Sequence, residues 1–382
     1  MNRKLDQKIV IVGAGILGAS VAFHLTQNGV TNITVIDAGE PGAGTSAVSF
    51  AWLNAFSKRP FHYHDLNRRS MDMWPRFVQQ LGCPEAVTWG GNLLWAATPA
   101  GAEELMAQAE TLHQWGYPAK MISIAEAQAL EPNLQMGEKG MESVTAVCHA
   151  YSEGHVETGT VIRACLEQAA AKGATIRTQT RVLGFEQDEG RLTAVHTTQG
   201  TLPADVVVLA VGADTPELGA MAGVDIPVYH TFGATLYTAP LPCIFQTVSS
   251  VHTAADTEMQ VAFRQLPDGR LVFYGGSHGT AADRSLGQTD KEIAQVLTKA
   301  RQFLPLLNDV EVAEIRRGRR PIPQDGFPII GFAEAVPNLY LTTMHSGVTL
   351  SALVGNYAAL EICKNVPIER LQQYRLERFY KK

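Results

Sequence analysis

Three glycines at the end of an apolar strand constrain this chain more than any other feature. Lys8-Ile-Val-Ile-Val12 reads as a short, fully buried strand, and Ile16 to Asn28 as a helix closed by Gly29. Gly13, Gly15 and Gly18 occupy the turn between them, with Ala14, Ile16 and Leu17 filling the other positions. In this pattern the first glycine permits the tight turn and the second lets backbone approach a pyrophosphate. The third lets the helix pack close to the strand. Free N–H groups and the dipole at the helix start favour phosphate charge. A second strand, Ile33-Thr-Val-Ile36, ends in Asp37-Ala38. A carboxylate about 20 residues beyond the glycines accepts ribose hydroxyls. Strand, turn, helix, strand and acid are all present, and together they predict a dinucleotide site at the head of the chain.

The 382 residues exceed what one small core organises, so two domains are expected. Apolar content of 46%, charged content of 18% and a formal net charge of −6 suit a soluble enzyme. That balance argues against a nucleic-acid partner, whose phosphates reward a basic face. No apolar run approaches the length of a membrane span. Met1 to Gln7 leads directly into the first strand with no room for a signal peptide, so a cytoplasmic location is expected. Cys83, Cys148, Cys165, Cys243 and Cys363 are scattered and lack CxxC spacing, which predicts reduced thiols and no metal site.

Further along, Pro41-Gly-Ala-Gly-Thr-Ser46 is a loop rich in turn formers, and the apolar stripe from Tyr63 to Leu81 predicts a helix. A strand near Asn92 to Ala97 and a helix near Ala102 to Trp115 follow. Thr158 to Gly173 reads as a helix, Thr175 to Thr180 as a strand, and Val182 to Phe185 as extended. Asp205 to Gly212 reads as a buried strand of a parallel sheet. Residues 225 to 317 change character. Strand-like pieces at Gly233–Thr238, Met259–Phe263, Arg270–Gly275 and Val310–Ile315 surround one helix, Asp290–Phe303, and Pro267-Asp-Gly269 marks a hairpin. The last part returns to the first pattern, with a strand at Leu339–Thr343 and a helix from Gly347 to about Cys363.

Four landmarks in this order resemble the D-amino-acid oxidase, glycine oxidase and sarcosine oxidase family of flavoproteins. They are the glycine turn with Asp37 and Gly42-Ala-Gly-Thr-Ser46; Glu153-Gly-His-Val-Glu157 with Thr180-Arg-Val-Leu-Gly-Phe185; Ala204 to Ala213; and Gly318-Arg-Arg-Pro-Ile-Pro-Gln-Asp-Gly-Phe-Pro-Ile-Ile-Gly331 followed by Met344-His-Ser-Gly347. The resemblance runs from Lys8 to about Cys363. It implies an α/β fold in which a Rossmann-like FAD-binding domain with a parallel sheet is interleaved with an antiparallel-sheet substrate domain. The first would take residues 1–85, 146–222 and 318–382, and the second 86–145 and 223–317.

The resemblance also implies noncovalent FAD, because Gly318 stands where some relatives tether flavin through a cysteine. It places the adenosine on Gly13 to Gly18 and Asp37, with the main chain of Val182 near the adenine. Gly212 would approach the pyrophosphate or ribityl chain, and the hydroxyls of Thr45 and Ser46 would bond phosphate or ribityl oxygens. Backbone N–H groups of Gly347, Val348 and Thr349 would face the flavin pyrimidine. A helix start there favours the negative charge of the reduced ring. The implied reaction moves the α-hydrogen of an amine or amino acid, with its electron pair, to flavin N5, and the imine then hydrolyses.

By spacing alone, Arg316, Arg317, Arg319 and Arg320 are a solvated basic run. An extended backbone puts Gly318 and Arg320 on one face and Arg317 and Arg319 on the other. The resemblance singles out Arg320-Pro321 as the pair that holds the substrate carboxylate, a task for which a guanidinium fork is suited. It also points to His345, Tyr274 and His278 as pocket residues, against core packing as the plainer reading, and it puts Trp52 and Asn54 near the flavin ring. His62 and His64 are spaced like ligands but lack a third partner.

Two departures matter. Phe50, Trp52 and Leu53 replace arginines of the sarcosine-oxidase-like relatives, which suggests a bulkier or less charged substrate. The segment Leu271 to His278 lacks their oxygen-activating lysine, so oxygen, a quinone or another protein all stay open as acceptor. The reading is therefore an FAD-dependent amino-acid or secondary-amine oxidoreductase, alone, as a homo-oligomer or with a second subunit. The flavin subunit of an opine-type dehydrogenase or oxidase is the narrower variant. An NAD-linked dehydrogenase using the same glycine turn is a further alternative.

Overall fold

The computed structural model describes residues 6–136, 143–276 and 290–380. Its first sheet has six strands in the order Ile329–Ala333, Val336–Thr343, Val206–Leu209, Ile9–Val12, Ile33–Ile36 and Thr175–Arg177. The last five run parallel, and Ile329–Ala333 joins antiparallel at the edge. Ile11 is in register with Val208 on one side and Val35 on the other.

The alternation of a strand explains why these runs are apolar throughout, since each face needs its own cover. Ile9, Ile11, Val206 and Val208 join a core with the helices Ile16–Gln27, Thr158–Ala171 and Gly347–Ala359. Val10, Val12, Val207 and Leu209 join a different core with Val182, Leu192, Val195 and Leu202. The latter belong to a three-stranded antiparallel sheet of Val182–Asp188, Arg191–Thr197 and Gly200–Pro203. The extended segment expected at Val182 to Phe185 is thus the first strand of a separate layer.

The second large sheet has eight strands in the order Val312–Pro323, Val228–Pro240, Arg270–Gly276, Gln260–Gln265, Ser250–His252, Asn92–Ala96, Ala146–Ala150 and Ala119–Ile122. Its pairings are antiparallel except that Ser250–His252 lies parallel to Asn92–Ala96. The hairpin at Pro267-Asp-Gly269 joins two of these strands, and the helix Asp290–Phe303 packs on the sheet. Ala146–Ala150 and the whole of Val312–Pro323 are members of this sheet. Sheet membership changes after Ala150 and after Pro323. A small sheet of Trp52–Leu53, Gly154–Val156 and Val87–Trp89 ties the two units together. Among the described residues no helix is long and apolar enough to cross a membrane.

Candidate active site

A cleft of about 510 Å³ opens at the C-terminal end of the parallel strands, lined by both the glycine turn and the start of the helix Gly347–Ala359. Gly13 has φ +101, and any Cβ there would collide with the carbonyl of Ala210. A Cβ on Gly18 would strike the carbonyl of Gly13, so this glycine serves the close packing of helix on strand. Asp37 is fixed at its strand end by N–H groups of Ala14 and Gly39, which donate to its two oxygens at 2.8 and 2.9 Å. Ser46 Oγ accepts the N–H of Ile16 at 3.1 Å, so one orphan donor of the first helical turn is already occupied.

Of the residues expected to hold a dinucleotide, Gly13, Gly15, Ile16, Leu17, Asp37 and Ala38 line this cleft at one end. Thr45, Ser46, Val182, Gly212, Gly347 and Val348 line the rest. Three others do not. Ala14 is buried with its N–H turned to Asp37, Gly18 faces Gly13, and Thr349 belongs to a neighbouring cavity, its hydroxyl donating to the carbonyl of Trp52. The Thr45 hydroxyl donates to the carbonyl of Arg319 at 2.7 Å, so its proton is committed to the eight-stranded sheet and only its lone pairs face the cleft. Arg181, Asp214 and Arg319 also line the cleft. Nothing in their local sequence distinguished them from ordinary surface charge.

The neighbouring cavity, about 450 Å³, meets the cleft at Thr45, Ser49, His345 and Val348. Arg320, Tyr274 and His345, expected as pocket residues, all line it. Arg320 stands opposite Thr231 in the sheet. A Cβ on the neighbouring Gly233 would lie 3.2 Å from its Nε, so the glycine leaves room for the guanidinium. Arg320 Nη2 donates to the carbonyl of Phe232 at 3.0 Å, while Nε is buried with no partner among the described residues. Its neighbours differ. Arg316 pairs with Glu314 at 2.7 Å, Arg317 with Asp290 at 3.2 Å and Arg319 with Asp214 at 2.7 Å. Only Arg320 of the four has no carboxylate within ion-pairing distance among the described residues.

Burial lowers the Arg320 pKa, opposed by the nearby Tyr274, and burial raises that of Tyr274, opposed by Arg320. The phenol therefore stays protonated, a neutral donor. His345 is solvent-accessible and stands where the cleft and the cavity meet. Its pKa is pushed down to about 3, first by burial and then by the charges of Lys58 and Arg320, so the imidazole is neutral. Trp52 forms a wall, its ring centroid 4.0 Å from that of His252, and Phe50 packs on the same histidine. Leu53 of the same loop is core, and Asn54 also lines the cavity.

Lys58 and His252 line this cavity as well and were not foreseen. Ser57-Lys58-Arg59-Pro60 reads as a solvated loop, and nothing local marks its lysine. His62 and His64 turn to different partners, the hydroxyl of Tyr374 and the carbonyl of Ala55, each at 2.8 Å. His278 lies outside the described residues. Among the described residues no cluster of His, Cys, Asp or Glu can hold a metal ion.

Two helix starts, a glycine cradle and a fixed carboxylate on one cleft fit the pyrophosphate and ribose of a dinucleotide, and the cleft continues into a cationic cavity in the second unit. Fold and site together fit the class of two-unit α/β redox enzymes built around a dinucleotide cleft with a cavity beside it. The family model for FAD dependent oxidoreductases matches residues 8–360, and the chain belongs to that family. Its cofactor is therefore FAD, and the NAD-linked alternative falls away. A glycine oxidase of Geobacillus kaustophilus is 25% identical over 364 residues, covering 93% of this chain and 92% of the relative. One of the opine oxidase subunits of Agrobacterium tumefaciens is 26% identical over 385 residues, 97% of each chain. The crystal structure of the Geobacillus kaustophilus glycine oxidase matches the fold with a TM-score of 0.85 at 22% identity, over 97% of this chain and 98% of that one.

Proposed function

We propose that this protein oxidises the C–N bond of an amino acid or secondary amine that carries a carboxylate, with FAD bound noncovalently. The observation that carries the reading is Arg320, a guanidinium with no carboxylate partner among the described residues, on a cavity continuous with the dinucleotide cleft. A carboxylate is the group that satisfies it, taking two parallel hydrogen bonds. FAD, when bound, supplies an acceptor for the substrate's hydrogen and electron pair. The protein's part is placement and protonation state. Arg320 anchors the carboxylate, the protonated Tyr274 offers a hydrogen bond, and neutral His345 borders both cavities. A free alkyl amine has a pKa of about 10.4. Two cations and no carboxylate among the described lining residues disfavour the ammonium form, so the substrate binds as the neutral amine that oxidation requires. The imine left after oxidation takes up water and separates into a carbonyl compound and an amine or ammonia.

A second reading, the flavin subunit of an opine-type oxidase or dehydrogenase passing electrons to another chain or a quinone, is favoured by two observations. The likeness to the Agrobacterium opine oxidase chain spans nearly all of both proteins, and Leu271 to His278 has no lysine. One experiment addresses both readings. The FAD-loaded protein is mixed without oxygen with glycine, sarcosine, proline, D-amino acids and opines, and bleaching of the flavin band is followed. Re-oxidation by air or only by a quinone then separates the two. Arg320→Ala should weaken carboxylate substrates by about 2–5 kcal/mol with FAD retained. An unchanged affinity removes Arg320 as the anchor.

A further inference from the structure

Lys58 is an ammonium on the wall of the substrate cavity, and no described residue pairs with it directly. Among the described residues it has no hydrogen bond or ion pair from its Nζ, and its ring neighbour is Tyr63, with the centroid 5.9 Å away. The carboxylate that acts on it is Glu153, which is fully buried. One Glu153 oxygen is taken by the N–H groups of Ala55 and Phe56 and by the hydroxyl of Tyr117. The other is buried without a partner among the described residues. A structural ion pair would close this gap, yet each group is left with unfilled hydrogen-bonding capacity. Burial also holds the Glu153 carboxyl up at about 7 and draws the lysine down to about 8, so the acid is only partly charged at neutral pH.

Lys58, Arg320 and His345 all line this cavity, and the two cations disfavour a further positive charge on the imidazole. His345 and His252 are themselves neutral, both pushed to about 3 by burial. No aspartate or glutamate is among the described residues lining this space. Two half-buried cations on one cavity, neither with a carboxylate within ion-pairing distance among the described residues, call for counter-charges from the ligand.

We infer that Lys58 is a second anchor and that the substrate carries two carboxylates, one held by Arg320 beside the reacting carbon and a distal one held by Lys58. This rests on the reading of the cavity as the substrate site.

The test uses the FAD-loaded protein and non-reacting probes, with binding read from perturbation of the flavin absorbance. Malonate, succinate and glutarate are compared with acetate. At least one dicarboxylate should bind about tenfold or more tightly than acetate. Lys58→Met should remove that gain while acetate affinity stays within about twofold. Lys58→Arg, which keeps the charge, should restore most of it, and Arg320→Met should weaken all four probes. Dicarboxylates that bind the native protein no better than acetate overturn the inference without any variant. So does a Lys58→Met protein that loses acetate and dicarboxylates equally, since the lysine would then only shape the site. Acetate bound through Arg320 with no dicarboxylate gain leaves the proposed function standing. A protein that binds none of the probes overturns both.

Discussion

Arg320 and its three neighbouring arginines carry the same charge and differ in what faces them. Glu314, Asp290 and Asp214 neutralise the other three, and these acids lie 2, 27 and 105 residues away in the chain. Glu153 presents the same dependence on surroundings in an acid. Its carboxyl is held at about 7 against an ordinary 4.5, first by burial, with Tyr117, the backbone and Lys58 pulling the other way. The unfolded chain releases this proton near 4.5 while the folded chain keeps it. Stability therefore falls as pH rises through that interval and levels off above about 7. Urea unfolding near pH 5 and near pH 7.5 should show the native protein losing on the order of 1–3 kcal/mol more than Glu153→Gln across the window. Identical pH slopes in the two proteins would contradict the burial of this charge. The sequence showed Glu153 only as part of a family landmark. Its titration follows from burial, which sequence spacing does not convey.

At the scale of elements, the glycine turn separates folding from cofactor binding. Gly13 has a positive φ and backbone against it, whereas Gly15 is extended at φ −73 and meets only the Ser46 hydroxyl, at 3.3 Å. Gly13→Ala should therefore destabilise the FAD-free protein by about 1–3 kcal/mol as well as abolish FAD binding. Gly15→Ala should leave the FAD-free protein within about 1 kcal/mol of the parent and weaken FAD alone. Denaturant unfolding of the two FAD-free variants, beside FAD titration, checks the split. Strands and helices with a strong period were legible, down to the end of the helix at Phe303. The hairpin between Asp188 and Arg191 was not. Its turn residues Glu189 and Gly190 both have positive φ, a two-residue turn that favours glycine or asparagine, and only the glycine signalled it. The parallel pairing of Ser250–His252 with Asn92–Ala96 was equally hidden, because those partners lie far apart in the chain.

The molecule as a whole places two cavities against one another at Thr45, Ser49, His345 and Val348, each lined by residues of both sheet systems. Ligation at such a seam should couple to global stability. FAD at about a hundred times its dissociation constant adds about 2.7 kcal/mol if it binds only the folded chain. Thermal unfolding should accordingly shift upward with added FAD, and removal of the cofactor should lower the midpoint reversibly. A midpoint indifferent to added FAD would mean that the folded chain does not hold the cofactor.

The sequence by itself determined the nucleotide-binding unit, the family and the candidate anchor, because glycine conformations, strand periodicity and a short ordered motif depend on neighbours in the chain. Tertiary structure alone decided which arginine lacks a carboxylate partner among the described residues, which expected residues turn away from the cleft, and that Lys58 stands on the cavity beside it. Charge and solvation at a point depend on every group nearby in space, and those groups are brought there from distant parts of the chain.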